Sequence, residues 1–183
     1  TSLSYAYSNR NYNHRIMLTH STGLSKKGWA FTVSGSRRYA GEGYVPGSYY
    51  DGWSYFAAID KKIGEKHLLS LTGFGAPTES GRQGPAVTEM IKLAGTNFYN
   101  PFWGYQNGKV RNASIAKTHQ PYIILTHDFR ISNTTNLTTA AGYSFGDRST
   151  TALDWYNSAD PRPDYYRYLP SYYKTTDPGQ SAM

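Results

Sequence analysis

Seven stretches of this chain repeat a two-residue period, and that period constrains the fold more than any other feature. Leu3, Tyr5 and Tyr7 alternate with Ser2, Ser4, Ala6 and Ser8, and Ile16 and Leu18 with Arg15, Met17 and Thr19. Trp29, Phe31 and Val33 alternate with Ala30, Thr32, Ser34 and Ser36; Trp53, Tyr55, Ala57 and Ile59 alternate less cleanly with Ser54, Phe56 and Ala58. Leu69 and Leu71 follow the same rule with Ser70 and Thr72, as do Ile123 and Leu125 with Ile124, Thr126 and Asp128. The most regular is last, with Leu137, Thr139, Ala141, Tyr143 and Phe145 against Thr138, Ala140, Gly142 and Ser144. Successive side chains of a strand point to opposite faces, so the pattern predicts strands with one large apolar face and one small polar face. Their expected spans are 2–8, 13–20, 29–39, 52–60, 66–75, 119–130 and 136–146.

The connections alternate as well. Short polar turns are expected near Gly23 to Gly28, Asp60 to Glu65 and Ile131 to Thr135, and longer segments at Ala40 to Asp51, 77–118 and 147–183. Short turns on one rim and long loops on the other describe an outer-membrane β-barrel. A soluble β-sandwich also alternates, but it fills a layer about 10 Å thick with bulky apolar groups and sets Lys, Glu and Arg on its outer faces. Here charged residues are only 17% of the chain, while Tyr and Gly number 18 each, and the polar face is mostly Ser, Thr, Ala and Gly. Small uncharged side chains suit the inner wall of a wide barrel, and the aromatic face suits lipid and its interfacial girdles, with Tyr39, Tyr55, Tyr143 and Phe145 near the loop ends of their strands. A closed eight-stranded barrel fits less well, because a narrow lumen needs larger side chains than Ser2, Ser4, Ser34, Ser36 and Ser144.

Other classes of function lose ground on the same residues. The net charge of +7 comes from scattered Lys and Arg, with only the isolated pairs Lys26-Lys27, Arg37-Arg38 and Lys61-Lys62, so no nucleic-acid partner is expected. With 0 Cys, disulfides, thiolate metal sites and thiol nucleophiles are absent from the sequence. Apolar runs such as Tyr122-Ile123-Ile124-Leu125 fall far short of the roughly 18 residues of a membrane helix. His14, His20, His67, His119 and His127 lack metal-ligand spacing, and His127-Asp128 would point to opposite faces of one strand. Gly73-Phe74-Gly75-Ala76-Pro77 and Gly81-Arg82-Gln83-Gly84 lack the Lys and Ser/Thr of a phosphate loop. No enzyme, metal or cofactor is expected.

The two long loops carry the aromatic residues that could meet a ligand. In the first, Val87, Met90, Ile91 and Ala94 fall at helical spacing within Pro85 to Gly95. In the second, Ala152-Leu153-Asp154-Trp155-Tyr156 is expected as a helical turn, and three prolines fix the backbone at Asp160-Pro161-Arg162-Pro163-Asp164-Tyr165-Tyr166-Arg167-Tyr168-Leu169-Pro170. The candidate ligand-facing residues are Trp103, Tyr105, Arg111, Arg162, Asp164, Tyr165 and Arg167. Packing of loop against loop explains these aromatics equally well.

That second motif, with Phe98-Tyr99-Asn100-Pro101-Phe102-Trp103-Gly104-Tyr105-Gln106-Asn107-Gly108-Lys109 and Gly73-Phe74-Gly75-Ala76-Pro77, resembles the barrel domain of TonB-dependent outer-membrane receptors. The resemblance implies part of a transmembrane barrel of about 22 strands closed around a plug. It implies import of an iron chelate, cobalamin, glycan or peptide, driven through the TonB complex, and location in the bacterial outer membrane. Its implied partners are the rest of the barrel, the plug, the TonB complex, membrane lipid and a surface lipoprotein as a candidate lid. Starting at Thr1 and ending at Met183, the chain is expected to be a fragment of such a barrel, without the plug, whose edges pair with other strands. The alternative is a soluble secreted β-sandwich that binds ligand through Tyr-rich loops.

Overall fold

The computed structural model describes residues 1–176, and the protein is all-β with short helical insertions. In chain order the strands are β1 Ser2–Tyr7, β2 His14–Ser21, β3 Trp29–Ala40, β4 Tyr49–Ile63, β5 His67–Gly75 and β6 Thr78–Gly81. Helix α1 at Thr88–Ala94 precedes β7 Trp103–Gln106, β8 Lys109–Asn112, β9 Ile115–His119, β10 Tyr122–Arg130, β11 Asn136–Ser144 and β12 Asp147–Thr150. A 3-10 turn at Tyr166–Tyr168 and helix α2 at Pro170–Thr176 close the described chain. Residues 177–183, the end of the second expected loop, lie outside it.

Ten strands form one antiparallel sheet: seven follow the path β1-β2-β3-β4-β5-β10-β11, β6 branches from β4 to β9, and β12 pairs with β9; β7 and β8 form a separate hairpin. The seven strands of the path lie on the seven alternating segments of the sequence. Strand β4 runs to Ile63, so the turn expected at 60–65 tightens to Gly64–Lys66.

Several expectations need correction. The segment 77–118 is not simply a loop: β6 and β9 extend the sheet beyond its seven-stranded body, with Asp51, Glu79 and Lys117 opposite one another across β4, β6 and β9. The strand expected over 119–130 breaks at Gln120-Pro121, because proline offers no N–H to a ladder. No helix forms at 152–156; the helical turns of that segment lie later, at 166–168 and 170–176. Five additional short strands, β6 to β9 and β12, raise the total from seven to twelve among the described residues.

Register sorts the side chains by size. Phe31, Ile59, Leu71 and Leu125 form one row across β3, β4, β5 and β10, flanked by the row Trp29, Lys61, Leu69 and His127. On the opposite face Thr19 Oγ1 meets Ser34 Oγ at 2.8 Å, Ser36 Oγ meets Ser54 Oγ at 2.6 Å, and Thr32 Oγ1 donates to Ser21 Oγ at 3.0 Å. The polar face therefore satisfies its hydroxyls rung by rung. It is not uniformly small, since Tyr50, Phe56 and Phe74 also point there.

The apolar face is uncovered. Leu3 is 70% exposed, Leu18 53%, Phe31 45%, Val33 53% and Leu125 50%, whereas Ala30, Thr32 and Ser34 between them are half-buried. Among the described residues the buried apolar side chains are Ala40, Val45 and Leu169. Fully burying one Leu, Ile or Phe contributes about 1.5–3 kcal/mol, against a net stability of about 5–15 kcal/mol for a domain. A face that leaves so many half exposed to water forfeits an amount comparable to a domain's entire stability.

Two turn glycines separate backbone strain from crowding. Gly28 has φ 75° and a Cβ there would stand 2.6 Å from the Lys62 carbonyl oxygen, which lies beside the bond from Lys62 N to Gly28 O at 2.8 Å. Gly64 has φ 58° with open space around it. Gly64→Ala should cost only the left-handed penalty, about 1–2 kcal/mol, while Gly28→Ala should cost distinctly more because the β3–β4 rim must also shift. Chemical denaturation of the two variants checks the ordering, and equal losses would contradict it.

Candidate functional site

At the long-loop end, two buried asparagines accompany the buried apolar side chains Val45 and Leu169. Asn100 is 3% exposed; its Nδ2 donates to the carbonyls of Pro46 at 3.1 Å and Arg82 at 3.3 Å, and its Oδ1 accepts from the amides of Gly84 at 3.2 Å and Phe102 at 3.1 Å. Asn112 is 4% exposed; its Nδ2 donates to Gly47 O at 2.9 Å and Arg82 O at 2.8 Å, and Oδ1 accepts from Ser114 N at 2.8 Å. Three chain segments, 46–47, 82–84 and 100–114, are thereby pinned together. Trp103 packs directly on Gly47, whose φ of 71° and missing Cβ make the approach possible.

This frame presents the β7–β8 hairpin. Its turn is Asn107-Gly108, with φ 52° and 73°, the left-handed pair that a two-residue hairpin turn requires. The sequence held that signal, an Asn-Gly between Tyr105-Gln106 and Lys109-Val110. The hairpin went unread there because its strands are too short to show a period.

The second loop folds against it. Asp160 Oδ1 accepts from the backbone N of Arg162 at 3.0 Å and from its Nε at 2.9 Å, and the guanidinium lies 5.1 Å from the Trp155 ring centre. Tyr168 OH donates to Asp160 O at 3.0 Å. Glu89 on α1 accepts from Ser171 N at 2.9 Å, at the first turn of α2, so the helical pieces of the two loops are tied together.

Four of the seven candidates meet around one cavity. Trp103, Tyr105, Arg111 and Arg162 line a space of about 330 Å³ together with Phe102 and Leu153. Arg162 also borders a second space of about 700 Å³ that holds Tyr165 and Arg167 with Trp155 and Tyr156. Asp164 lines neither; its charge, after burial, helps push the Tyr99 hydroxyl above its ordinary pKa.

The roles of these residues divide by what already occupies them. Tyr105 packs edge-on with Trp103 at 5.8 Å between ring centres but is 74% exposed, which leaves ring surface for a ligand. Arg162 is spent on Asp160, Arg167 Nε donates to Tyr166 OH at 3.0 Å, and Arg111 Nη1 donates to Gln106 Oε1. The Tyr165 ring packs edge-on against Tyr166 and Tyr168 at 4.8 and 5.3 Å. The arrangement can bind through aromatic faces and oriented guanidinium edges.

A further cavity of about 470 Å³ opens on the apolar face of the sheet, beside Tyr39 and Trp53. Arg37 pairs with Asp51 at 2.8 Å and Lys117 with Glu79 at 2.8 Å, so these charges are satisfied by one another across the strands. Among the described residues no three His, Asp or Glu side chains gather as a metal site, and no helix is long and apolar enough to cross a membrane. No family model, curated protein or solved structure matches the chain.

The Arg162 hydrogen bonds hold the Asp160 carboxyl below its ordinary pKa. A depressed folded value means that the ion pair's contribution is present above the ordinary Asp range and is lost as pH falls through the folded value. Acidification below about pH 4 should therefore release Arg162 from Asp160 and shift the emission of Trp155, read as wild type minus Trp155→Phe. Asp160→Asn should abolish that titration; an unchanged titration in this variant would refute the assignment.

Proposed function

We propose that this chain is a wall segment and outer-loop cluster of a bacterial outer-membrane β-barrel, of the TonB-dependent nutrient receptor class. The observation that carries the reading is the uncovered apolar face: a single sheet with large side chains on one side and a hydroxyl ladder on the other. A sandwich would need a second layer over Phe31, Ile59, Leu71 and Leu125, and the second sheet of the described chain has two strands. Lipid covers such a face without a second layer.

Strands β1 and β11 end the sheet path with a partner on one side only. An unpaired backbone group in hydrocarbon costs roughly 2–7 kcal/mol, and β11 alone has nine residues. On this reading both edges pair with further strands of the same barrel, whose plug fills the lumen beside Thr19, Ser34 and Ser54. TonB would supply the energy of import, and Tyr105, Trp103, Arg111 and Arg162 would meet cargo at the outer rim, where a surface lipoprotein could also dock. The chemistry of that rim fits a ligand with planar or hydroxylated surfaces, such as a glycan, peptide or chelate.

The purified chain should aggregate in buffer and regain β-structure in detergent, as read by size-exclusion chromatography with circular dichroism. A soluble, cooperatively melting monomer in plain buffer would instead establish the soluble binding module.

A further inference from the structure

We propose that the outer face of the β3–β4 rim is a binding site for the headgroup of an anionic phospholipid, with Lys26 and Lys27 holding the phosphate and Trp29, Phe31 and Ile59 receiving the first part of the acyl chains. The inference rests on the membrane reading above, which puts this rim on the short-turn, periplasmic side. The turn between β2 and β3 stands beside a cavity of about 720 Å³ lined by Ser25, Lys26, Lys27, Trp29, Phe31 and Ile59. Its floor is apolar. The Trp29 and Phe31 rings stack with centres 6.1 Å apart and planes 10° apart, giving a flat wall that continues into Ile59.

Its mouth is cationic, and nothing in it is acidic. Lys61 Nζ sits 4.6 Å from the Trp29 ring centre and donates to Lys27 O at 2.9 Å, which fixes the turn over the sheet and adds a third ammonium group. Among the described residues Lys26 and Lys27 have no salt-bridge partner. The carboxylates that flank Lys61 in sequence are directed elsewhere: Asp60 stands opposite Ala30 and Ser70 on the hydroxyl face, and Glu65 is engaged by Lys62 at 2.9 Å.

The opposite rim supplies the contrast. There Arg37 and Lys117 are neutralised by Asp51 and Glu79, so that stretch of the outer face offers no spare cation. The two ends of the same apolar face thus differ in charge, and the unpaired end lies where a lipid phosphate would sit above a tryptophan girdle. A lysine near an anionic membrane surface contributes electrostatically in proportion to the charge it meets, and a neutral zwitterionic headgroup offers much less.

The test uses the chain folded into detergent micelles doped with phospholipid carrying dibrominated acyl chains, as phosphatidylglycerol or as phosphatidylcholine. The Trp29 signal is the difference between the chain and its Trp29→Phe variant. Phosphatidylglycerol should quench it at a lipid concentration lower by on the order of tenfold. Lys26→Gln with Lys27→Gln should erase that preference while phosphatidylcholine still quenches, and Lys61→Gln, which leaves the turn lysines in place, should weaken it in part. Equal quenching by the two lipids in the unaltered chain would overturn the headgroup site and leave the membrane reading standing. Absence of quenching by either lipid would remove both.

Discussion

The antiparallel hydrogen-bond ladder carries this molecule, because almost nothing else does. Ala40, Val45 and Leu169 are the buried apolar side chains among the described residues, far from the core that a chain of 183 residues could build. What remains is a ten-stranded sheet whose seven-stranded body is paired without a break from β1 to β11, stiffened on one face by paired hydroxyls. A ladder satisfies the backbone, but it supplies little hydrophobic stabilisation unless its large face is covered. The proposed lipid contact follows from that imbalance, and so does the requirement for neighbouring strands at β1 and β11.

The long-loop end shows how a loop cluster holds its shape with a polar frame beside a few buried apolar side chains such as Val45 and Leu169. Each amide of Asn100 and Asn112 is both donor and acceptor, and together they occupy carbonyls and amides that irregular backbone would leave unpaired. Removing one would strand several buried groups at about 1–3 kcal/mol each. The frame matters for binding because Trp103 and Tyr105 project from the hairpin it fixes, and Arg162 approaches from the other loop. A ligand there would meet a surface already organised, and less of its binding energy would go into ordering side chains.

The sequence revealed the sheet more fully than the site. Period-two patterning located β1 to β5, β10 and β11, β4 least cleanly, because each has a large-small alternation that a strand with unlike faces produces. Strands β6 to β9 and β12 escaped it, having four or five residues apiece; β6, β9 and β12 take their place from long-range pairing, as Glu79 does with Lys117, and β7 and β8 from the turn between them. The helical turn expected at 152–156 gave way to irregular chain with a single turn in which Ser158 N donates to Trp155 O, and the Asp160 carboxylate caps Arg162 beyond it in a local contact that periodicity does not register. Clustering of Trp103, Tyr105, Arg111 and Arg162 depended on two loops meeting, and Asp164, Tyr165 and Arg167 stand apart from that first cavity for the same reason.

The central claim, that the large face of the sheet lies in hydrocarbon, can be read residue by residue. The chain has 0 Cys, so single cysteines introduced at 31, 32, 33 and 34 can each carry a spin label without further substitution. In lipid bilayers, labels at Phe31 and Val33 should collide with dissolved oxygen and be shielded from a water-soluble paramagnetic chelate, and those at Thr32 and Ser34 should show the reverse. An alternation of that sign along β3 is the expected result. Equal chelate access at all four positions, or the opposite alternation, would contradict the account.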